Sequence, residues 1–283
     1  MKVVTAVVNN PKFIELQYFT LARYMKCNYE FIVFNDAKDW PDFTNGGDAT
    51  IREQIKNTCA ELGIQCINIP NSHHETMNVA SVRTADAHNF ILNYMRANPD
   101  QYLCIDSDMF LIDDFDGSEY KEKACAISLQ SRDSTHYIWN GLYYFDIPKM
   151  DHLELMNWDL THNTDTGGCT EPWLRKTVGN SFPSTDAIRW TDAKYETSTL
   201  LYLRHLWSQS WNESELPTRL HVRVYLREFL AADPRNSADG KYFAEIYDNK
   251  FFHYRAGGNW RGEGMDLHAN LTSRLMGALL NDF

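Results

Sequence analysis

Up to Ile112 the chain alternates short apolar runs with amphipathic segments, and that alternation leaves few folds open. Val3–Val8 is apolar and β-branched, and Tyr29–Phe34 and Tyr102–Ile105 are nearly as apolar; Gln65–Ile69 is a shorter run of the same kind. Runs of this length without polar alternation fit strands covered on both faces. Between them lie helical signatures. Asn10-Pro11 offers an N-cap and a first-turn proline, followed by Ile14, Tyr18, Leu21, Ala22 and Met25 on one stripe as far as about Met25. After the Gly/Asp-rich loop Trp40–Ala49, a second helix is expected over Ile51–Leu62. The third, Ala85–Ala97, carries Ala87, Phe90, Ile91, Tyr94 and Met95 at helical spacing and is stopped by Asn98-Pro99-Asp100. Strand–helix alternation predicts an α/β fold, a Rossmann-like and mostly parallel central sheet with helices on both faces.

The second half is less regular. Ala124–Leu129 and Gly141–Phe145 read as strands, 151–192 as mostly loop, Thr197–Ser208 as a helix and Leu220–Leu226 as a strand. Leu267, Leu271, Leu275 and Leu279 recur every fourth residue and predict a closing helix over Met265–Leu280. With no repeat and no linker, 1–283 reads as one domain, its 1–115 half distinct in pattern from 116–283.

Charge narrows the partners. Asp plus Glu number 38 against 27 Lys plus Arg, for a net charge of −11. Such a chain is a poor nonspecific binder of nucleic acid or anionic lipid, and a phosphate ligand would need a local cluster or a metal. Six cysteines without a C-x-x-C pair point to reduced thiols rather than a zinc framework. No apolar stretch approaches the ~20 residues of a membrane span. Met1–Val8 is too short for a signal-peptide core. The expectation is a soluble, cytoplasmic protein.

One place breaks the apolar pattern sharply. The run Tyr102–Ile105 leads into Asp106-Ser107-Asp108, and apolar residues resume at Met109-Phe110-Leu111-Ile112. If the backbone stays extended, both carboxylates project to one side. Like charges so close repel, one pKa rises, and a hard divalent cation relieves the repulsion. The carboxyl ends of strands are where open α/β sheets bind ligands.

An apolar strand, Asp-x-Asp and a hydrophobic continuation, set about 100 residues into an alternating α/β chain, resemble the metal-binding motif of GT-A glycosyltransferases. Three later segments fit the same resemblance: Trp139-Asn140-Gly141-Leu142-Tyr143-Tyr144-Phe145, Asp165-Thr166-Gly167-Gly168, and His253-Tyr254-Arg255-Ala256-Gly257-Gly258-Asn259-Trp260. They look like the strand beside the sugar pocket, the Asp near the anomeric carbon of retaining members, and the C-terminal His motif. The overall pattern is similar to the glycogenin and galactosyltransferase group and to small viral or microbial glycosyltransferases. The usual Lys of the C-terminal motif is absent, with Arg255 or Arg261 in reach to replace it.

The resemblance implies Mn²⁺ or Mg²⁺ held by Asp106, Asp108 and His253, with a UDP- or GDP-sugar as donor and a glycan or other hydroxyl as acceptor. Donor contacts are expected from Thr5, Val8, Asn9, Asp36, Arg83, Asp106, Ser107, Asn140, Arg255 and Gly257, and His88-Asn89 is placed to face the donor. Asp165 is the expected catalytic carboxylate; Glu171 and Asp186 are further carboxylates available to an inverting enzyme, although the His motif favours retention. Trp158, Trp173 and Trp190 fall in the same loop-rich stretch without an assigned role. A D-x-D-x-T phosphotransferase would place its motif near the N-terminus and Thr or Val where Phe110 stands, and a nucleotidyltransferase would want a Gly-rich basic loop where Asn9-Asn10-Pro11-Lys12 stands. A sugar-binding protein without turnover is the non-enzymatic alternative.

Overall fold

The computed structural model describes residues 1–185, 187–189, 194–216, 224–260 and 262–280. In chain order the first half runs β1 (Lys2–Val7), α1 (Pro11–Tyr24), β2 (Glu30–Asn35), α2 (Ile51–Glu61), β3 (Gln65–Asn68), α3 (Ser72–Thr76), α4 (Ala80–Ala97), β4 (Gln101–Ile105) and β5 (Met109–Leu111). It continues with α5 (Ser118–Lys121), β6 (Cys125–Arg132), β7 (Thr135–Asp146), α6 (Glu171–Val178), β8 (Tyr195–Glu196), β9 (Leu200–Tyr202) and β10 (His205–Leu206). Helix α7 (Val224–Ala231), β11 (Glu245–Tyr247), β12 (Phe251–His253) and α8 (Gly262–Leu280) close the chain.

Eight strands form the central sheet in the order β3-β2-β1-β4-β7-β6-β9-β8. The β3-β2-β1-β4 half is wholly parallel. Beyond β4 the sheet is mixed: β4–β7, β7–β6 and β9–β8 are antiparallel, β6–β9 parallel. The architecture is therefore α/β, with a large sheet flanked by helices. Alternate residues of the strands feed different cores: Val4, Ile32 and Phe34 pack on one side with Ile91 and Met95, and Val3, Val7 and Val33 on the other with Ile14 and Ile55. Burial on both faces is why these strands read as continuous apolar runs.

A smaller antiparallel sheet, β10-β11-β12-β5, carries a third core against α7 and α8. Because β5 belongs to this sheet and β4 to the large one, Asp106–Met109 joins the two. Trp158 and Trp173 are fully buried core residues. All six cysteines are free thiols. Among the described residues no helix is long and apolar enough to cross a membrane.

Two expectations are corrected. Thr197–Ser208 is not a helix: Leu200, Leu201 and Tyr202 are buried beside Cys125, Ala126 and Ile127, and β10 follows. Short apolar runs carry no decisive period, and parallel pairing with β6 settles this one as strand. Of the expected strand Leu220–Leu226, residues 220–223 lie outside the described set, and Val224 begins α7, whose Leu226, Phe229 and Leu230 pack at helical spacing into the third core. The described part of 151–192 is mostly loop, as expected, and is interrupted by α6, with Pro172 in its first turn.

Candidate metal centre

The two aspartates are brought together by a turn rather than by an extended strand. Met109 N–H donates to Asp106 O at 3.1 Å, and Asp106 N–H is held by Gly141 O at 2.8 Å. The condition of an extended backbone is therefore not met. Gln17, buried on α1, fastens the turn by donating to Asp106 O (2.8 Å) and Met109 O (3.1 Å).

His253 reaches the same point through the small sheet. A tight turn joins β11 to β12, with Asp248 and Asn249 both left-handed (φ 49° and 58°) and Lys250 N–H closing onto Tyr247 O at 3.0 Å. Asp and Asn tolerate that backbone best among non-glycine residues. The Asp248 carboxylate is pinned by Arg204 (3.0 Å) and Tyr120 (3.0 Å). The resulting register sets Glu245 opposite His253, and β12 sets His253 opposite Met109. Opposed residues on an antiparallel pair share a face. One imidazole thus lies between the Glu245 and Asp108 carboxylates.

His253 Nδ1 is 2.8 Å from Glu245 Oε2, and its Nε2 is 3.0 Å from Asp108 Oδ1 and 3.8 Å from Asp106 Oδ2. Asp108 Oδ2 accepts from Gly257 N–H at 2.6 Å. Glu245 also accepts from Tyr247 O–H (3.0 Å) and Ser208 N–H (3.1 Å). Asp108 and His253 are 3% and 4% exposed, whereas the Asp106 side chain keeps 35% of its surface open to the cavity.

Electrostatics separates the two aspartates. Burial and then the neighbouring Asp108 charge raise the Asp106 pKa to about 6. Burial pushes Asp108 the same way, but the His253 charge, its hydrogen bond and the Gly257 N–H outweigh it, and Asp108 sits below the usual carboxylate range. Burial would lower His253, yet Asp108 and Glu245 together lift it to about 10.

The donor set fits a divalent cation. Asp106, Asp108 and His253 each offer a ligand atom, all within 4.8 Å of one another. With Nδ1–H committed to Glu245, the neutral imidazole presents Nε2 as a ligand, the usual carboxylate–histidine–metal arrangement. Two carboxylates plus one imidazole suit Mn²⁺ or Mg²⁺ better than a thiolate-seeking metal.

A cavity of about 320 Å³ opens onto Asp106 and Asp108 of this triad, with His253 buried behind them. Its wall includes Val8, Asp36, His74, Arg83, His88, Asp106, Ser107, Asp108, Asn140 and Gly258. Among the expected donor contacts, then, Val8, Asp36, Arg83, Asp106, Ser107 and Asn140 are brought to one space. His88 lies there too, neutral because burial lowers its pKa to about 4, with Nε2 3.2 Å from Asn140 Nδ2. Asn89 faces elsewhere, onto Asn157, Trp158 and Asp159.

Other expected residues stand off the wall. Thr5 is buried within β1. Asn9 Nδ2 donates to Thr44 O and Gly258 O, both at 2.9 Å, tying two loops at the cavity rim. Gly257 gives its N–H to Asp108. Arg255 reaches Ser208 Oγ at 3.0 Å and lies over the Phe243 ring. Asp165, nearly half exposed, pairs with Arg132 at 3.2 Å. Glu171 pairs with Arg175 at 2.6 Å. Asp186, Trp190 and Arg261 lie outside the described residues.

Sequence reasoning missed Glu245 and Gln17. Glu245 had a signal: it is the one charged residue in the apolar run Ala244–Tyr247, ahead of the Asp248-Asn249 turn. Gln17 had none beyond sitting near the apolar stripe of α1.

No protein-family model matches the chain, and no curated protein matches it. Among solved structures the chain is similar to galactosyltransferase LgtC in complex with donor and acceptor sugar analogues, at 13% identity over 65% of this chain and 67% of that one, with a TM-score of 0.36. It is also similar to an active-site mutant of LgtC, at 14% identity and the same TM-score of 0.36, over 55% of this chain. In that second match it spans 61% of the length of its neighbour.

Proposed function

We propose that the chain is a GT-A type hexosyltransferase that moves a sugar from a UDP- or GDP-sugar to a glycan or other hydroxyl acceptor, with Mn²⁺ or Mg²⁺ and retention of anomeric configuration. The observation that carries this reading is the Asp106–Asp108–His253 triad, set at the carboxyl end of β4 and open to a cavity along the ends of β1, β2 and β4. A cation held by these three residues supplies Lewis acidity to the departing diphosphate.

The chain's own residues do the rest. Arg83, near the start of α4, donates from Nη1 to Met77 O at 2.8 Å and presents its guanidinium to the cavity, a geometry suited to phosphate. Ser107 and Asn140 lie where the sugar would meet the triad, with Asn140 oriented by His88. Of the described carboxylates of the wall, Asp106 and Asp108 belong to the triad and Asp36 is buried in ion-pair contact with His73, so none stands ready as the acceptor base that inversion requires. That favours retention.

The test is donor cleavage. A panel of UDP- and GDP-sugars is incubated with the protein in Mn²⁺ or in EDTA, and released nucleoside diphosphate is measured, with product configuration read by NMR. Release is expected only with the cation, falling more than about 100-fold in Asp108→Asn, beyond the 10–100-fold range for residues outside the ligand set. Absence of release from every donor, or full release in EDTA, overturns the reading.

A further inference from the structure

A second cluster meets the same cavity through Asp36 and His74. Asp36, which follows β2, meets His73 and His74 of α3, and each of the three offers a ligand atom within 4.8 Å of the others. They are 6%, 3% and 8% exposed. His73 Nε2 lies 2.8 Å from Asp36 Oδ1, and His74 Nε2 lies 3.3 Å from the same oxygen. The His73 approach is off the line a ring N–H needs, so Asp36 Oδ1 and His73 Nε2 are buried polar atoms without a hydrogen-bond partner. His74 Nδ1 is a third, while its Nε2 sits 2.7 Å from Asp36 O. Polar atoms buried without a hydrogen bond are costly, so three in one place call for a ligand.

The surroundings repeat the logic of the first centre. His73 Nδ1 is 2.8 Å from Asp86 Oδ2 on α4, as His253 Nδ1 is 2.8 Å from Glu245. A carboxylate behind Nδ1 fixes the tautomer that exposes Nε2 as a ligand. The spacing of the first pair fits as well. Bonds of about 2.0–2.2 Å to zinc place tetrahedral ligand atoms about 3.3–3.6 Å apart, within a small adjustment of the 2.8 Å between His73 Nε2 and Asp36 Oδ1. His74, whose Nε2–H donates to Asp36 O, has Nδ1 to offer. Two imidazoles and one carboxylate form a softer donor set than the triad and suit Zn²⁺ or a similar divalent transition metal.

We propose that Asp36, His73 and His74 form a second divalent-metal site, selective for Zn²⁺-class cations, reached from the cavity that Asp106 and Asp108 also line. Asp86 is its positioning residue. The site does not depend on the sugar-transfer reading, because its test uses no nucleotide.

The experiment is equilibrium dialysis of the metal-stripped full chain against Zn²⁺, with Co²⁺ absorption as a reporter of ligand type. Wild type should bind Zn²⁺ at this site with a d–d spectrum of nitrogen and oxygen ligation. His73→Gln and His74→Gln should each weaken that binding at least 100-fold, and Asp108→Asn should leave it in place. Circular dichroism identifies any variant that fails to fold, and the remaining histidine variant then serves. Zn²⁺ binding unchanged in both histidine variants, or a cobalt spectrum showing thiolate charge transfer, overturns the proposal. Loss of binding in the histidine variants with donor cleavage absent throughout would sink the sugar-transfer reading and leave this site standing.

Discussion

Replacing Gly257 by alanine tests the triad through space that the protein does not have. A Cβ there would lie 2.5 Å from Phe13 Cε2, 2.9 Å from Asp108 Cβ and 3.0 Å from Asp108 Oδ2. Phe13 has nowhere to retreat: it is 1% exposed and meets Phe110 and Tyr254 edge-on at 5.3 and 5.5 Å. Asp108 must therefore move. That stretches the Gly257 N–H contact at 2.6 Å and the His253 contact at 3.0 Å together. Overpacking of this kind costs roughly 1–3 kcal/mol of stability. Disturbing the support of a metal ligand typically costs 10–100-fold in affinity, which is about 1.4–2.7 kcal/mol. Gly258 is the internal control. A Cβ there meets Val8 Cγ1 at 3.5 Å and Asn9 Oδ1 at 3.9 Å, ordinary contacts, and neither glycine has a positive φ. Calorimetric titration with Mn²⁺ should show Gly257→Ala weaker by 10–100-fold and Gly258→Ala within about twofold of wild type. Thermal unfolding in EDTA should show the stability loss in Gly257→Ala alone. If both variants bound Mn²⁺ alike, the assignment of Gly257 to the support of Asp108 would be refuted.

Glu245→Gln keeps an acceptor for His253 Nδ1–H but removes the charge that orients and polarises the ring, so Mn²⁺ affinity should fall about 10–100-fold with the fold intact by circular dichroism; an unchanged Kd would remove Glu245 from the site. His205 supplies a pH test of burial. Desolvation holds its pKa at about 3 against an ordinary 6.5, so the native state keeps it neutral while the unfolded chain takes a proton below 6.5. Its contribution to stability is therefore complete above that value and is lost progressively as pH falls towards 3, amounting to a loss of about 2 kcal/mol by pH 5. Urea unfolding at pH 7 and pH 5 should show the pH-dependent loss smaller by about that amount in His205→Gln; equal losses in the two proteins would mean that His205 titrates normally.

Much of the large sheet was legible because its strands are covered on both faces, and continuous apolar runs survive in the sequence as Val3–Val8 and Tyr102–Ile105. The Ala85–Ala97 helix was equally plain, although it begins at Ala80, since Ser81, Val82 and Arg83 carry no apolar stripe. Legibility failed where pairing with a distant strand decided the conformation. Leu200–Tyr202 looks helical from its own residues and becomes strand only beside Cys125–Ile127. The triad shows the same division. Asp106 and Asp108 stand out because carboxylates interrupt apolar sequence, and the geometry that joins them to His253 is invisible locally. That geometry depends on Gln17 holding the Asp106–Met109 turn and on a hairpin register fixed at Asp248-Asn249. The Asp36–His73–His74 cluster was hidden for a further reason: its ligands lie 37 residues apart, on β2's end and on a helix of five residues that composition alone does not announce.

Charge explains why a cation is built into the proposed chemistry rather than added to it. The described wall of the cavity carries three carboxylates, Asp36, Asp106 and Asp108, against one guanidinium, Arg83. At an effective dielectric of 20, each unit-charge pair held at 4 Å contributes about 4 kcal/mol. A diphosphate with two or more negative charges would therefore meet net repulsion here, and the chain's overall −11 offers no long-range steering to offset it. Before any cation binds, a proton has that place: His253, lifted to about 10 by the carboxylates on either side, is an imidazolium at neutral pH and balances Asp108. Asp106, Asp108 and His253 would give up that proton on holding a divalent metal, which would bring two charges where one stood. On the proposed reading, the same arrangement that keeps three ionisable groups together in the buried site would favour an anion arriving in company with a dication. To bind nucleotide sugars without one, the chain would need a second basic side chain on this wall, and the described residues place none there.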